Sequence, residues 1–229
     1  DDKISNFLNK SITNEQVAEA IELIRDAGYR TAADVLIGIP GLMENHSKDI
    51  FLETVFWLKS IGVDQYNVLP LNRKELTLQG IIYKYLCNNC KLKEMGIAQG
   101  KHTSIPWLTT IVTSLNEVFI KDPHLLKVIN ISQVYSYQNS VDNIPPYNQI
   151  ECTCNEKLIG ALGKYQKKRS ADIINDAANY AMSNRHKCSA EYQSLVNLQR
   201  DFSIKETIKT IAQELMTCWE EEKDEIYNK

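Results

Sequence analysis

A chain of 229 residues with a net charge of −3 and 43% apolar residues can bury a sizeable core and shows no disorder-like bias. The near-neutral charge excludes bulk electrostatic binding of nucleic acid and leaves only a local basic patch for such a partner. No apolar run reaches the roughly 20 residues that span a bilayer, and no signal peptide opens the chain, so a soluble, cytoplasmic protein with no membrane partner is expected.

Residues 1–10 read as a short helical segment with Ile4, Phe7 and Leu8 at helical spacing. Thr13-Asn14-Glu15-Gln16 is a capping box. It opens a helix whose apolar face is Val17, Ala20, Ile21, Ile24 and Ala27, with Gly28 as its stop. Residues 33–39 lack period-2 alternation and read as a strand buried on both faces of a parallel sheet. The run breaks at Pro40-Gly41, and Ser47 is placed to cap a helix carrying Ile50, Phe51, Val55 and Leu58. Gly62 ends that helix, and residues 65–71 return as a parallel strand. A strand, helix, parallel strand unit binds ligands beyond the carboxyl ends of its strands, here Gly38-Ile39-Pro40-Gly41 and Leu69-Pro70-Leu71-Asn72-Arg73.

Residues 74–92 read as a helix that Gly96 breaks. A boundary near residues 100–104 divides the chain into 1–102 and 103–229. Beyond it, residues 105–120 read as a helix with Pro106 in the first turn, 125–135 as a strand, and 138–149 as a Pro- and Asn-rich loop. From Asn155 onward every segment reads helical. Ser203-Ile204-Lys205-Glu206 is a second capping box, opening a long last helix.

The segments around the opening strand pair resemble the radical S-adenosylmethionine (SAM) superfamily, in the branch that holds the Elongator catalytic subunit and the methylthiotransferases. The resemblance rests on Phe7-Leu8-Asn9-Lys10, on Asp34-Val35-Leu36-Ile37-Gly38-Ile39-Pro40-Gly41, on Gly62-Val63-Asp64 and on Val68-Leu69-Pro70-Leu71, which agree in order and spacing over about the first 90 residues. It implies an α/β fold: the C-terminal part of a (β/α)6 partial TIM barrel, followed by a mainly helical accessory region. A second resemblance, to the radical SAM enzymes of archaeosine formation, rests on Pro70-Leu71-Asn72-Arg73-Lys74 and on Pro145-Pro146-Tyr147-Asn148 leading to Cys152, Cys154 and Cys188. It implies modification of a transfer-RNA base.

The family's CxxxCxxC loop, which holds a [4Fe–4S] cluster, does not occur in this sequence, and neither do its first four strands. With an abrupt start lacking Met, the chain is expected to be the C-terminal part of a longer oxidoreductase and not catalytic alone. The alternative is a non-catalytic α/β module that binds a nucleotide or partner. A barrel cut after its fourth strand exposes a sheet edge, so poor solubility is expected.

The resemblance implies that Leu36, Gly38 and Pro40 line the adenosine side of SAM, that Leu69 and Pro70 close its other side, and that Lys10 faces its carboxylate. Asn72 and Arg73, at the mouth, are the substrate-binding candidates. Each also has a plain reading: Gly and Pro end strands, and Lys10 and Arg73 are solvated cations; Glu44, where the family often carries Glu, either caps the next helix or contacts the methionine amine of SAM. Six cysteines in such a chain suggest thiols or metal ligands rather than a disulfide framework. Cys87 and Cys90 fall on one face of the expected helix, and Cys152, Cys154, Cys188 and His186 are further ligand candidates for zinc. Of these, Cys152, Cys154 and Cys188 are the preferred members. The basic run Lys164-Tyr165-Gln166-Lys167-Lys168-Arg169 is either an RNA contact or a solvated helix end.

Overall fold

The computed structural model describes residues 11–132, 143–144, 146–148, 152–183 and 186–227, and residues 1–10, with Lys10, lie outside them. Helix α1 (Asn14–Asp26) starts at the expected capping box. The Thr13 hydroxyl accepts from Gln16 N at 3.3 Å, and the Gln16 side chain accepts from Thr13 N at 2.9 Å. Gly28, at φ 81°, turns the chain out of the helix. Strand β1 (Ala32–Ile37), helix α2 (Glu44–Ser60) and strand β2 (Gln65–Pro70) follow. β1 and β2 pair in parallel, with Leu36 opposite Leu69 and Ile37 opposite Pro70. A third parallel strand, β4 (Ile129–Ile131), lies on the far side of β2, giving the order β1-β2-β4. Between them come β3 (Arg73–Lys74), α3 (Leu78–Leu86), α4 (Cys90–Glu94) and α5 (Leu108–Lys121). The short β5 (Asn143–Ile144) pairs with β3. Helices α6 (Cys154–Lys168), α7 (Ala171–Met182), α8 (Lys187–Gln199) and α9 (Ile204–Tyr227) complete the chain. The architecture is mixed α/β: a small parallel sheet among many helices.

Four local expectations are corrected. β1 is not buried on both faces: Val35 and Ile37 are buried, while Ala32, Asp34 and Leu36 are exposed. The same alternation holds in β2 and β4, because the described helices pack on one side of the sheet. α2 begins at Glu44 rather than after Ser47; its N-cap is Met43, and Ser47 is buried in the first helical turn. The expected helix over 74–92 is two, because Asn89 caps a new start by accepting from Leu92 N at 2.9 Å. That places Cys87 at the end of α3 and Cys90 at the start of α4, not on one helical face. Pro106 precedes α5 instead of occupying its first turn.

The main core gathers Val35, Ile37, Tyr66, Val68, Ile129 and Ile131 from the covered sheet face with Phe51, Val55, Ile111, Leu115, Leu158 and Ile174 from the helices. Residues on both sides of 102 therefore share one apolar interior. Burial of this kind contributes about 25 cal/mol per Å² of apolar surface. A second cluster joins α3, α4 and the start of α9 through Met43, Ile82, Leu86, Leu92 and Ile211. On the opposite face, Asp34 and Leu36 are exposed and Asn67, Leu69 and Asn130 are half-buried among the described residues. Asn67 Nδ2 donates to Asp34 Oδ1 at 3.0 Å, Asn130 Nδ2 donates to Asn67 Oδ1 at 3.4 Å, and the Arg169 guanidinium donates to Asn130 Oδ1. α1 adds little cover: only Ile21 of its apolar face is buried, and Leu23 is 70% exposed. No helix among the described residues is long and apolar enough to cross a membrane.

Candidate metal centre and the strand-end site

Two pairs of residues, each with one residue between, stand at the beginnings of α6 and α8. Cys152 precedes α6 and Cys154 is its first residue; His186 is the N-cap of α8 and Cys188 lies in its first turn. α7 returns beside α6, so the two helix starts come together. One ligand atom from each of Cys152, Cys154, His186 and Cys188 lies within 4.8 Å of the others. Closing onto a zinc ion with ~2.3 Å bonds needs ligand atoms ~3.8 Å apart, a contraction within side-chain reach. The expected trio of cysteines is therefore brought together, and His186 completes it. Cys87, Cys90 and Cys218 are not part of the group.

The surroundings suit thiolates. Burial opposes ionisation of Cys152, but hydrogen bonds from Cys154 and Cys188, backbone and thiol, outweigh it and hold the thiol below its ordinary value. Burial pushes the Cys154 thiol up, and Asn148, itself fully buried, donates from Nδ2 to Cys154 Sγ at 3.3 Å. Asn148 is fixed in turn by Thr109, whose backbone N–H donates to Asn148 Oδ1 at 3.1 Å, and by Asn155, whose Oδ1 accepts from Asn148 N at 2.6 Å. His186 Nε2 lies 3.0 Å from the Tyr180 carbonyl, which can only accept, so Nε2 carries the proton. Its Nδ1 is buried and has no hydrogen-bond partner.

A polar chain runs from this centre to the strand ends. Trp107 and Tyr192 pack against Cys154 and Cys188. Tyr192 OH is 3.0 Å from Thr110 Oγ1, which donates to the Glu44 carboxyl, and Trp107 N donates to the same oxygen at 3.2 Å. Glu44 does not cap its own helix; its carboxyl accepts from the chain entering α5 at Trp107 and from Thr110 in the first turn of α5. Burial pushes its carboxyl up to about 7 against the hydrogen bonds from Thr110 and Trp107. No feature of the local sequence marks this network, because Thr110 and Tyr192 lie 66 and 82 residues from their partners.

The strand-end residues divide between two faces. Leu36, 37% exposed, and Leu69 lie side by side on the more exposed face of the sheet. Gly38 has φ 91°, and a Cβ there would meet the Pro106 ring at 2.8 Å. The space a glycine leaves at that turn is filled by the chain itself. The cavity behind it, bounded by Gly38, Gly41, Glu44, Ser104 and Pro106, measures about 20 Å³, room for a water rather than a nucleoside. Pro40 and Pro70 are buried. Arg73, 8% exposed, donates to the Lys101 and Thr103 carbonyls at 2.9 and 3.1 Å and lies over the Tyr83 ring. Its guanidinium faces inward, and burial lowers its pKa. Asn72 Oδ1 is buried without a partner. His102, missed in the sequence, packs at a tilt against Trp107 and edge to face against Tyr147. Burial first, and the Arg73 charge second, lower its pKa to about 3.

No protein-family model, no curated protein and no solved structure matches the chain.

In the basic run of α6, Tyr165 is buried and donates to the Leu126 and Ile129 carbonyls at 2.9 and 3.0 Å. Gln166 accepts from Ile131 N at 3.0 Å, and Arg169 donates to the Ile129 carbonyl. These three tie α6 to β4, which leaves Lys164, Lys167 and Lys168 at the surface.

Proposed function

We propose that the chain is the C-terminal part of a radical SAM iron–sulfur enzyme that modifies an RNA base, and that it supplies one wall of the SAM site. The observation that carries this reading is the more exposed face of a parallel sheet whose β1 edge has no neighbouring strand among the described residues. Leu36 and Leu69 meet on that face near the carboxyl ends of their strands, where α/β sheets bind ligands.

Leu36 and Leu69 offer a flat apolar surface to an adenine ring. Asn72, half-buried at the strand ends, is the candidate for substrate, and Lys10 would meet the SAM carboxylate as a point charge. Gly38 lies under the Pro106 ring and, with the buried Pro40 and Pro70, shapes the turn behind that surface. A bound SAM and its cluster would supply the 5′-deoxyadenosyl radical that abstracts hydrogen from substrate. The residues of this chain bind and orient. Lys164, Lys167 and Lys168 suit a phosphate backbone.

The test uses the full-length gene product, reconstituted anaerobically with iron and sulfide and reduced in the presence of SAM. Release of 5′-deoxyadenosine is expected. Leu36→Asp is expected to raise the KM for SAM about 10-fold or more, since a buried charge would face the ring without a partner, with the iron content unchanged. SAM binding without iron would favour the non-catalytic module, and absence of both would end the reading.

A further inference from the structure

We propose that Cys152, Cys154, His186 and Cys188 bind one structural zinc ion that fastens the helical layer to the strand-end network. The inference stands apart from the SAM reading and does not need it.

The donor set is decisive. Three thiolates and one imidazole, converging within 4.8 Å, fill the tetrahedral coordination of zinc and leave no position for water or substrate, as in structural rather than catalytic sites. A [4Fe–4S] cube, each iron of which takes its own ligand, is too large for a group so closely drawn. The imidazole is already arranged for the ion. Its Nε2–H is held by the Tyr180 carbonyl, which leaves the unpaired, buried Nδ1 as the ligand atom; metal-bound histidines characteristically donate their other N–H in this way. The net charge of a zinc ion with three thiolates and a neutral imidazole is −1. Both helix starts present N–H groups to it, and Asn148 Nδ2 presents another to Cys154.

The ion has a mechanical consequence. Its ligands belong to the starts of α6 and α8, and Trp107 and Tyr192 pack directly on Cys154 and Cys188. Through Tyr192, Thr110 and Trp107 N the centre reaches the carboxyl of Glu44. Zinc therefore holds α8 against α5 and fixes the lining of the strand-end cavity. Loading releases the thiol protons, so affinity falls as pH falls.

The test is metal analysis of the chain purified without added metal, with cobalt replacement read by absorption. About one zinc per chain is expected, and cobalt should give the sulfur-to-metal charge-transfer and tetrahedral d–d bands of a three-thiolate site. His186→Ala should lose the ion, while His186→Cys should keep it with a four-thiolate spectrum. Cys87→Ser with Cys90→Ser should change nothing. Asn148→Ala should weaken cobalt binding about 10-fold or more, as loss of a hydrogen bond to a metal ligand does. Zinc removal should raise amide exchange at the start of α5 and along α8. If Cys154→Ser fails to fold, the His186 pair and the wild-type cobalt spectrum still decide. No bound metal and no cobalt spectrum, iron in place of zinc, or retention of zinc by His186→Ala would each overturn the proposal.

Discussion

Between pH 8 and pH 5 two buried groups, Glu44 and His102, are expected to move the unfolding midpoint of the metal-free chain in opposite directions. Glu44 has a carboxyl held near 7 in the fold against 4.5 unfolded. Its raised pKa contributes stability that is fully present below pH 4.5 and is lost as pH rises through 7. Over pH 5 to 8 this amounts to about 2.5 kcal/mol, at 1.36 kcal/mol per pH unit. His102 runs the other way, with a folded pKa near 3 against 6.5 unfolded. Its neutral ring is favoured above pH 6.5, and stability is lost as pH falls toward 3, by about 2 kcal/mol at pH 5. Single variants should separate the two. Glu44→Gln keeps the acceptor for Trp107 N and Thr110 but removes the titration, so its denaturation midpoint should fall on acidification. His102→Phe keeps an aromatic ring against Trp107 and Tyr147, and its midpoint should rise on acidification. Parallel profiles in both variants would show that neither group is buried as described.

The substitution Gly80→Ala is expected to destabilise the chain by about 3 kcal/mol or more, the upper range for overpacking. Gly80 lies in the first turn of α3, and a Cβ there would sit 2.2 Å from the carbonyl oxygens of both Lys74 and Glu75. These are backbone atoms of the turn leading out of β3, so relief requires moving the turn rather than rotating a side chain. The apparent melting temperature should drop by about 10 °C, at about 2–4 °C per kcal/mol for a domain of this size. Gly160→Ala in α6 is the internal contrast. A methyl group added there would meet nothing within 4 Å, and it should stabilise by about 0.5–1 kcal/mol through helix propensity. Equal melting temperatures for the two variants would refute the packing described at α3.

The segments legible in the sequence are those governed by neighbours a few residues apart. The capping boxes at Thr13 and Ser203 form as their residue types dictate, with Glu206 Oε2 accepting from Ser203 N at 2.8 Å. Gly28 and Gly62 take the positive φ that ends their helices. β1 and β2 pair in parallel around α2, and the helical tail begins one residue before Asn155. The failures share a cause. A short side-chain cap at Asn89 overrode helical periodicity across 74–92, and an apolar run at 33–39 concealed which face the helices would cover. Periodicity reports that a side chain is apolar, not whether a partner exists to bury it.

By itself, the sequence determined the parallel α/β pairing, the helical second half, and the candidate ligands Cys152, Cys154 and Cys188 with His186 beside them. Only the tertiary structure decided that these four converge, that Cys87 and Cys90 stand apart, and that the Glu44 carboxyl accepts from Trp107 N, 63 residues away. Capping and periodicity act over one or two helical turns. The convergence depends on α7 folding back along α6, a packing outcome that no local rule encodes.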